Sequence, residues 1–134
     1  MEIREYKNYH EEEILDLYAR VGWTNYTDDP QMLRRAYENA LLTLGAYEDG
    51  KLIGIIRTVG DGASIVYIQD IIVHPAHQRK GIGTQLMQAA LARFTDVYQT
   101  VLATDDTEKT KAFYRSLGFV EMSELGCCAF MRVR

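Results

Sequence analysis

The feature that most constrains this chain is an apolar run that leads through a short glycine-containing loop into a helical pattern. The run ends at Ile72 and Val73, Pro75 follows, and the loop carries Gly81 and Gly83 just before the helical residues. A strand that enters a helix through such a turn leaves free backbone N–H groups at the helix N-terminus, where anions bind favourably. The pattern therefore predicts a strand–loop–helix unit with a candidate phosphate site.

The loop itself has chemistry that suits an anion. Arg79 and Lys80 add positive charge beside the glycines, and neither glycine has a Cβ that would keep a ligand away from the backbone. A tightly packed connection would also use glycines, so the spacing alone leaves both interpretations open. The spacing excludes the G-x-x-x-x-G-K-[ST] phosphate loop, and it lacks the third glycine of a dinucleotide-binding fingerprint.

Two motifs carry a resemblance to a known family. The sequence Gln78-x-x-Gly81-x-Gly83, after an apolar strand that ends Val73-x-Pro75, resembles the [QR]-x-x-G-x-[GA] pyrophosphate loop of the GNAT superfamily of acyl-CoA N-acyltransferases. Downstream, FYRSLGF at Phe113–Phe119 resembles the F-Y-x-x-x-G-F segment of the same superfamily. The motifs occur in the family's order, separated by a helix and a strand, and the likeness covers nearly the whole chain.

The order of predicted elements fits an α+β fold with a mixed sheet. Strands are predicted near the N-terminus and over 42–47, 52–59, 64–73, 97–103, 119–123 and 127–133. Helices are predicted from a capping box at Asn8-x-x-Glu11, from Asp29-Pro30, after the glycine loop, and up to a stop at Gly118. The resemblance implies the GNAT fold, with a mostly antiparallel sheet, a parallel crossover and about four helices. Residues 1–134 are expected to form a single domain.

Composition narrows the possible classes of function. A chain of 134 residues can bury a core without a metal or disulfide. Its net charge of -4 argues against general nucleic-acid binding, so any anion site must be local. No apolar run approaches the length of a membrane span, and the N-terminal sequence does not resemble a signal peptide, so a cytoplasmic location is expected.

The cysteines and histidines do not suggest a metal site. Cys127 and Cys128 are adjacent in a strand-like run, and neighbours in a strand point to opposite faces, so they are interpreted as inert thiols. His74 and His77 flank the loop without a nearby cysteine or acid and are interpreted as surface residues. No metal is predicted.

The resemblance implies how acetyl-CoA, the expected acetyl donor, is bound. The pantetheine arm would lie between the strand ending at Val73 and the next parallel strand, with an N–H near Val73 polarising the thioester carbonyl. The pyrophosphate would lie on the backbone amides of the loop. The residues expected to bind the cofactor are Ile72, Val73, Gln78, Arg79, Lys80, Gly81, Ile82, Gly83, Thr84, Thr107 and Phe113. Thr107 departs from the family, which often has asparagine there, and its hydroxyl replaces only part of the amide's hydrogen bonding.

Tyr114 is the candidate general acid. In the motif it takes the position of the family's frequent general acid, which protonates the leaving thiolate. From the residues alone, a packed tyrosine beside Phe113 and Leu117 on an amphipathic helix is the other interpretation.

Asp70 is the candidate general base. It is the only carboxylate within Ile65–Val73, and strand alternation places it on the face of Ile68 and Ile72. Apolar neighbours disfavour the charged form of a carboxylate, which would let it accept a proton near neutral pH. Two alternatives stay open: a structural residue bonded to backbone groups, or a side chain turned towards solvent by a strand bulge. Members of the superfamily also often use a chain of waters instead.

An aromatic loop is the candidate acceptor site. Residues 22–27 include Trp23 and Tyr26 with two threonines, a composition typical of pocket walls. Trp23 would equally well fill the core beneath the loop.

Taken together, the sequence predicts an enzyme: an N-acetyltransferase that moves an acetyl group from acetyl-CoA to a primary amine by direct attack on the thioester. The alternative is a non-catalytic acyl-CoA-binding regulatory or interaction domain. The acceptor is expected to be a small-molecule or peptide amine, such as a polyamine, an aminoglycoside or a lysine side chain. Exposed strand edges near the C-terminus make a homodimer possible.

Overall fold

A computed structural model describes residues 1–134, which form two compact units, Met1–Ala103 and Thr104–Arg134. That the chain forms a single domain stays a prediction, and each unit is described by itself. The first unit contains β1 (Glu2–Glu5), α1 (Glu11–Arg20), α2 (Thr24–Thr27), α3 (Pro30–Glu38), β2 (Leu42–Glu48), β3 (Lys51–Gly60), β4 (Ile65–Val73), α4 (Ile82–Ala92) and β5 (Gln99–Leu102). The second contains α5 (Glu108–Ser116).

The sheet has the mixed topology that the sequence predicts. Its strand order is β1-β2-β3-β4-β5, antiparallel from β1 to β4 and parallel between β4 and β5. The predicted hairpin between β2 and β3 is confirmed. Asp49 and Gly50 both have positive φ, at 51° and 77°, which is the backbone of the two-residue turn that matches strand twist.

The strand β4 departs from regular pairing at Gln69. Arg57 of β3 faces Asp70, whereas Thr58 faces Ile68, so Gln69 is an extra residue in β4. Pairing with β5 ends at the same place, since the last register pair is Ile68 with Leu102. Beyond it, the edge of β4 on the side of β5 is open.

Helices cover both faces of this sheet. Ile55 and Ile72 belong to a buried cluster with the apolar side chains of α1 and α3. A Cβ at Gly54, the neighbour of Ile55, would instead meet Leu86 and Ile82 of α4. Because successive residues of a strand face opposite sides, α4 packs on the sheet face opposite α1 and α3.

The helix termini correct one sequence prediction and confirm another. The capping box at Asn8 is wrong: α1 begins after His10, which makes no side-chain cap bond, and the His10 N–H donates to the Tyr6 hydroxyl at 2.9 Å. The start of α3 is as predicted, with Asp29 accepting a bond from the Met32 N–H at 3.2 Å. The sequence did not predict α2, a single turn within the aromatic loop. None of the helices, the longest of which has 11 residues, has the length and apolar character needed to span a membrane.

The predicted C-terminal strands, 119–123 and 127–133, are wrong. A 3-10 turn at Met122–Leu125 interrupts the first, closed by reciprocal bonds between Glu121 and Glu124. No strand follows it, and side chains such as Phe130 are exposed. An alternating apolar pattern does not by itself provide the neighbouring strand that pairing requires. Cys127 and Cys128 consequently lie outside any strand, and both are free and exposed.

Candidate functional site

The loop between β4 and α4 is shaped by two residues in the left-handed region. After a 3-10 turn at Pro75–His77, the chain passes through Arg79 at φ 64° and Gly81 at φ 79°. Gly81 is the N-cap of α4. A left-handed conformation is unstrained for glycine but unfavourable for arginine, so the loop keeps a strained residue next to the helix N-terminus.

The N-terminus of α4 is open. The Gln85 N–H donates to the Gly81 carbonyl at 3.0 Å, so the N–H groups of the three preceding residues, 82–84, have no acceptor within the helix. No side chain caps them, and a Cβ built on Gly81 would meet nothing within 4 Å. Arg79 and Lys80 are exposed and have no acidic partner within 4 Å. An anion such as a diphosphate fits this arrangement.

The end of β4 presents backbone groups towards its open edge. The His74 N–H donates to the Ile53 carbonyl of β3 at 2.8 Å, so the N–H of the preceding residue, Val73, points to the opposite edge. The Val73 carbonyl accepts a bond from Gln78 Nε2 at 3.1 Å, which joins the loop to the strand. Gln78 therefore has a structural contact that the sequence did not predict.

Two of the residues expected to bind the cofactor have their side chains in the core. Ile72 is 2% exposed and Ile82 is 5% exposed. Only their backbone groups are available to a ligand. The side chains of the two isoleucines anchor β4 and α4 in the core and are not exposed to a ligand.

Asp70 is buried in a polar network, not among apolar neighbours as the sequence predicted. Its side chain is 2% exposed. Arg57 Nε and Nη2 donate to Oδ2 at 2.9 and 2.7 Å, and the Tyr18 hydroxyl donates to the same oxygen at 2.7 Å. An opposite charge and hydrogen bonds stabilise a buried carboxylate. The prediction of Asp70 as a base assumed apolar neighbours instead, and the structure does not have them. The alternative in which a bulge exposes Asp70 is also wrong, since Gln69 is the exposed residue there.

The two oxygens of Asp70 are bonded unequally. Oδ2 accepts three bonds, whereas Oδ1 accepts only one, from the Tyr26 hydroxyl at 3.3 Å. That hydroxyl also accepts a bond from Gln69 Nε2 at 3.3 Å. A carboxylate offers about four lone-pair sites, so Oδ1 keeps acceptor capacity.

The hydroxyls around Asp70 act as donors. The single Tyr18 proton goes to Asp70, so Tyr37, whose hydroxyl is 2.8 Å from that of Tyr18, donates to Tyr18. Burial raises the pKa of Tyr18 well above its usual range, and the nearby Tyr37 and the Asp70 charge add to this. Burial likewise raises the pKa of Tyr37. Both phenols therefore keep their protons.

Trp23 and Tyr26 lie over this network. The Trp23 ring is 5.9 Å from the Tyr18 ring and 6.1 Å from the Tyr26 ring, measured between centroids. Both side chains pack against the buried cluster and are half-buried. Each thus supports the core and keeps an exposed part, so their assignment to the acceptor site stays a prediction.

In the second unit, Tyr114 packs between aromatic rings. Its centroid is 5.0 Å from that of Phe113 and 6.0 Å from that of Phe119, both edge-on. Burial raises the pKa of Tyr114, while a hydrogen bond with the Thr104 side chain lowers it by less. The phenol is therefore protonated at neutral pH, as a general acid must be. The Thr107 hydroxyl is the N-cap of α5 and accepts a bond from the Thr110 N–H at 3.2 Å.

Sequence reasoning missed the residues that hold Asp70. Arg57, Tyr18 and Tyr37 belong to no motif. One signal was present, because Arg57 is the only charged residue in 52–59 and Asp70 is the only one in the next strand. Opposite charges in two apolar antiparallel strands favour a cross-strand pair.

Comparison with known proteins identifies the class to which this fold and loop belong. The structure is similar to that of a GNAT-family acetyltransferase from Streptococcus pneumoniae TIGR4, with a TM-score of 0.90, 41% identity, and coverage of 99% of this chain and 97% of that one. A GNAT acetyltransferase from Brucella melitensis in complex with acetyl-CoA is 25% identical, with a TM-score of 0.67 and coverage of 89% and 82%.

Residues 6–132 match the family model for an acetyltransferase (GNAT) domain, and the chain belongs to this family. An uncharacterised N-acetyltransferase, ycf52-like, from Prochlorococcus marinus is 30% identical over 124 residues, which are 88% of this chain and 67% of that protein. The chain spans between 35% and 67% of the length of the first four curated relatives. The predicted family, fold class and enzyme class, an N-acetyltransferase, are confirmed.

Proposed function

We propose that this protein transfers an acetyl group from acetyl-CoA to a primary amine by direct attack of the amine on the thioester. The observation that carries the proposal is the open N-terminus of α4, with Arg79 and Lys80 unpaired beside it, next to the free edge of β4. A diphosphate and an extended arm would fit these two features side by side. The Brucella melitensis relative, whose structure contains acetyl-CoA, supports the choice of donor.

The residues of the first unit would bind and polarise the donor. Acetyl-CoA supplies an activated acetyl thioester. The N–H groups of residues 82–84 and the side chains of Arg79 and Lys80 would bind its diphosphate. The Val73 N–H, which faces the open edge of β4, would donate to the thioester oxygen and stabilise the negative charge that develops there.

Tyr114 is proposed as the general acid. It holds the motif position, and burial keeps its phenol protonated, so it can give its proton to the departing thiolate. Thr107 and Phe113 are proposed as further cofactor contacts, because they lie at positions that resemble those of cofactor-binding residues in the family. The Thr107 hydroxyl accepts the cap bond of α5 and lies 2.7 Å from the Thr110 hydroxyl, where either oxygen could be the donor.

Asp70 is proposed as the general base. It is ion-paired with Arg57 and accepts three bonds at Oδ2, so its free acceptor capacity lies at Oδ1. The attacking nitrogen would lose its proton towards that oxygen. Trp23 and Tyr26, which lie over the network, are proposed to contact the acceptor. The cytoplasmic location and the homodimer stay predictions.

The test is a thiol-release assay with acetyl-CoA and a panel of amines: spermidine, kanamycin and a lysine-containing peptide. We expect turnover with at least one amine. Tyr114→Phe should lower kcat by about 100-fold without changing the affinity for acetyl-CoA, because the phenol acts only when the thiolate leaves.

Tyr98→Phe is the matched control, since it removes the same hydroxyl from a side chain that is 83% exposed. It should behave as the wild type. Binding of acetyl-CoA without acetylation of any amine in the panel would contradict the proposal and favour a non-catalytic acyl-CoA-binding domain. Full activity in Tyr114→Phe would contradict the role of Tyr114 alone.

A further inference from the structure

The burial of Asp70 limits how a proton can reach it. At 2% exposure the carboxylate has almost no surface on which an acceptor amine could lie. Arg57 and Tyr18, which occupy Oδ2, are themselves buried. A proton that enters from solvent must therefore arrive at Oδ1.

Only one group joins Oδ1 to the surface. The Tyr26 hydroxyl donates to Oδ1 at 3.3 Å, and its oxygen accepts from the exposed Gln69 amide at 3.3 Å. A phenol is both a donor and an acceptor, so the oxygen that donates to Oδ1 can itself receive a proton from the side of the exposed Gln69. The Tyr26–Asp70 bond is longer than the usual O–H···O distance, and the Gln69–Tyr26 bond is slightly longer than the usual N–H···O distance. Catalytic hydrogen bonds are often long before a substrate binds.

The bulge in β4 creates this arrangement. Because Gln69 is an extra residue opposite Arg57 and Thr58, both Gln69 and Asp70 reach the same tyrosine, which regular alternation would prevent. Tyr26 lies on the single turn of α2, which packs against α1 and α3. The phenol is thus held over the carboxylate by backbone geometry.

We propose that the Tyr26 hydroxyl relays the proton from the acceptor amine to Asp70 Oδ1. The inference rests on the proposed function and adds a residue to its base. The acceptor binds in its ammonium form. One of its N–H bonds breaks as the proton passes to the Tyr26 oxygen, the phenolic proton passes at the same time to Oδ1, and the neutral amine that results can attack the thioester. Tyr26 ends neutral and Asp70 ends protonated; the reverse route returns the proton to solvent after the product leaves.

Tyr26 accepts one proton as it gives up another, so its own charge does not change. Burial and the adjacent Asp70 charge raise the pKa of Tyr26, burial contributing more, so Tyr26 is not itself the base. The other titratable or charged groups around Asp70 and this phenol are Arg57 from β3, Tyr18 from α1 and Tyr37 from α3.

The test compares Tyr26→Phe with Tyr18→Phe. Each removes one hydroxyl bonded to Asp70, but at different oxygens. The acetylation rate is measured with the best amine of the panel from about pH 6.5 to about pH 9.5, a range over which the free-amine fraction of an ordinary amine rises steeply. The melting temperature and acetyl-CoA affinity of each variant establish that it is folded.

If Tyr26 is the relay, Tyr26→Phe lowers kcat/KM by about 100-fold at neutral pH. The difference from the wild type shrinks to about tenfold or less at the basic end, because an amine that is already neutral needs no relay. Tyr18→Phe should instead lower the melting temperature and change kcat/KM by a factor that does not depend on pH.

Two results would overturn the relay while leaving the acetyltransferase intact. One is wild-type kinetics in Tyr26→Phe. The other is a defect that stays the same at every pH, which would make Tyr26 a binding residue only. Absence of turnover by the wild-type protein with every amine would instead overturn the proposed function, and the relay with it.

Discussion

Arg57 donates two hydrogen bonds, from Nε and Nη2, to a single oxygen of Asp70 and makes none to the other. Most of this ion pair is out of water, with the two side chains 5% and 2% exposed. The Arg57 guanidinium also lies 5.4 Å above the Tyr37 ring. The pair thus joins β3 and β4 beneath α1 and α3 and leaves the second carboxylate oxygen available.

Removal of Arg57 alone should be severely destabilising. Arg57→Leu leaves the Asp70 charge buried without its partner, and we expect the free energy of unfolding to fall by about 3–5 kcal/mol. Urea denaturation measures the change. In the double variant Arg57→Leu/Asp70→Asn both charges are absent, and most of the stability should return. A double variant no more stable than Arg57→Leu would show that packing, not charge, dominates.

Gly81→Glu should abolish most of the binding of CoA. The new carboxylate would lie at the open N-terminus of α4, where it would repel the diphosphate and occupy its space. Gly81→Ala is the control, because both variants place a side chain at φ 79° and share that strain. Calorimetric titration should give an affinity about tenfold or more lower for the Glu variant than for the Ala variant. Equal affinities would place the diphosphate elsewhere.

Substitutions at Arg79 should separate strain from binding. Arg79→Gly and Arg79→Ala both remove the positive charge, so both should weaken binding of acetyl-CoA to a similar degree. Only glycine relieves the unfavourable φ of 64°, so Arg79→Gly should be more stable than Arg79→Ala by about 1 kcal/mol. Thermal or urea unfolding measures this difference. If Arg79→Ala is as stable as Arg79→Gly, the loop does not hold a strained residue.

Stability should fall in acid partly through Asp61. Its carboxylate accepts bonds from the N–H groups of Ala63 and Ser64, in the turn before β4, and of Ile65, the first residue of β4. The bond from the Ser64 hydroxyl, together with these backbone bonds, holds the pKa of Asp61 well below its ordinary value of 3.8. A lowered folded-state pKa gives stability that is present above the unfolded value and is lost as pH falls below it.

Asp61→Asn removes this titration. The variant should lose less stability than the wild type between about pH 5 and about pH 2, as measured by urea denaturation at each pH. Asp96→Asn serves as the comparison, since it makes the same change at an exposed carboxylate outside any strand or helix. Identical acid profiles for Asp61→Asn and the wild type would contradict the role of the turn.

Sequence patterns were sufficient to predict the elements whose geometry is set by adjacent residues. Asp29-Pro30 predicted the start of α3, and Asp49-Gly50 predicted the hairpin, because cap and turn geometry depend on a few adjacent residues. The burial of Asp70 could also be predicted, because successive residues of a strand alternate between the two faces of the sheet.

Three features needed the folded chain. The apolar residues near Phe130 were predicted to form a strand, but the pattern could not show whether a partner strand lies beside them. The bulge at Gln69 depends on how β3 and β4 align, not on either sequence alone. The roles of Arg57 and Tyr18 follow from contacts across 13 and 52 residues of chain.

The sequence by itself therefore determined the family, the order of the first strands and helices, and the glycine loop with its positive charge, all of which depend on neighbouring residues. Only the tertiary structure decided how Asp70 is bonded. Three elements distant in sequence place Arg57 and Tyr18 on one carboxylate oxygen and Tyr26 on the other, and no local pattern records which oxygen is left able to accept a proton.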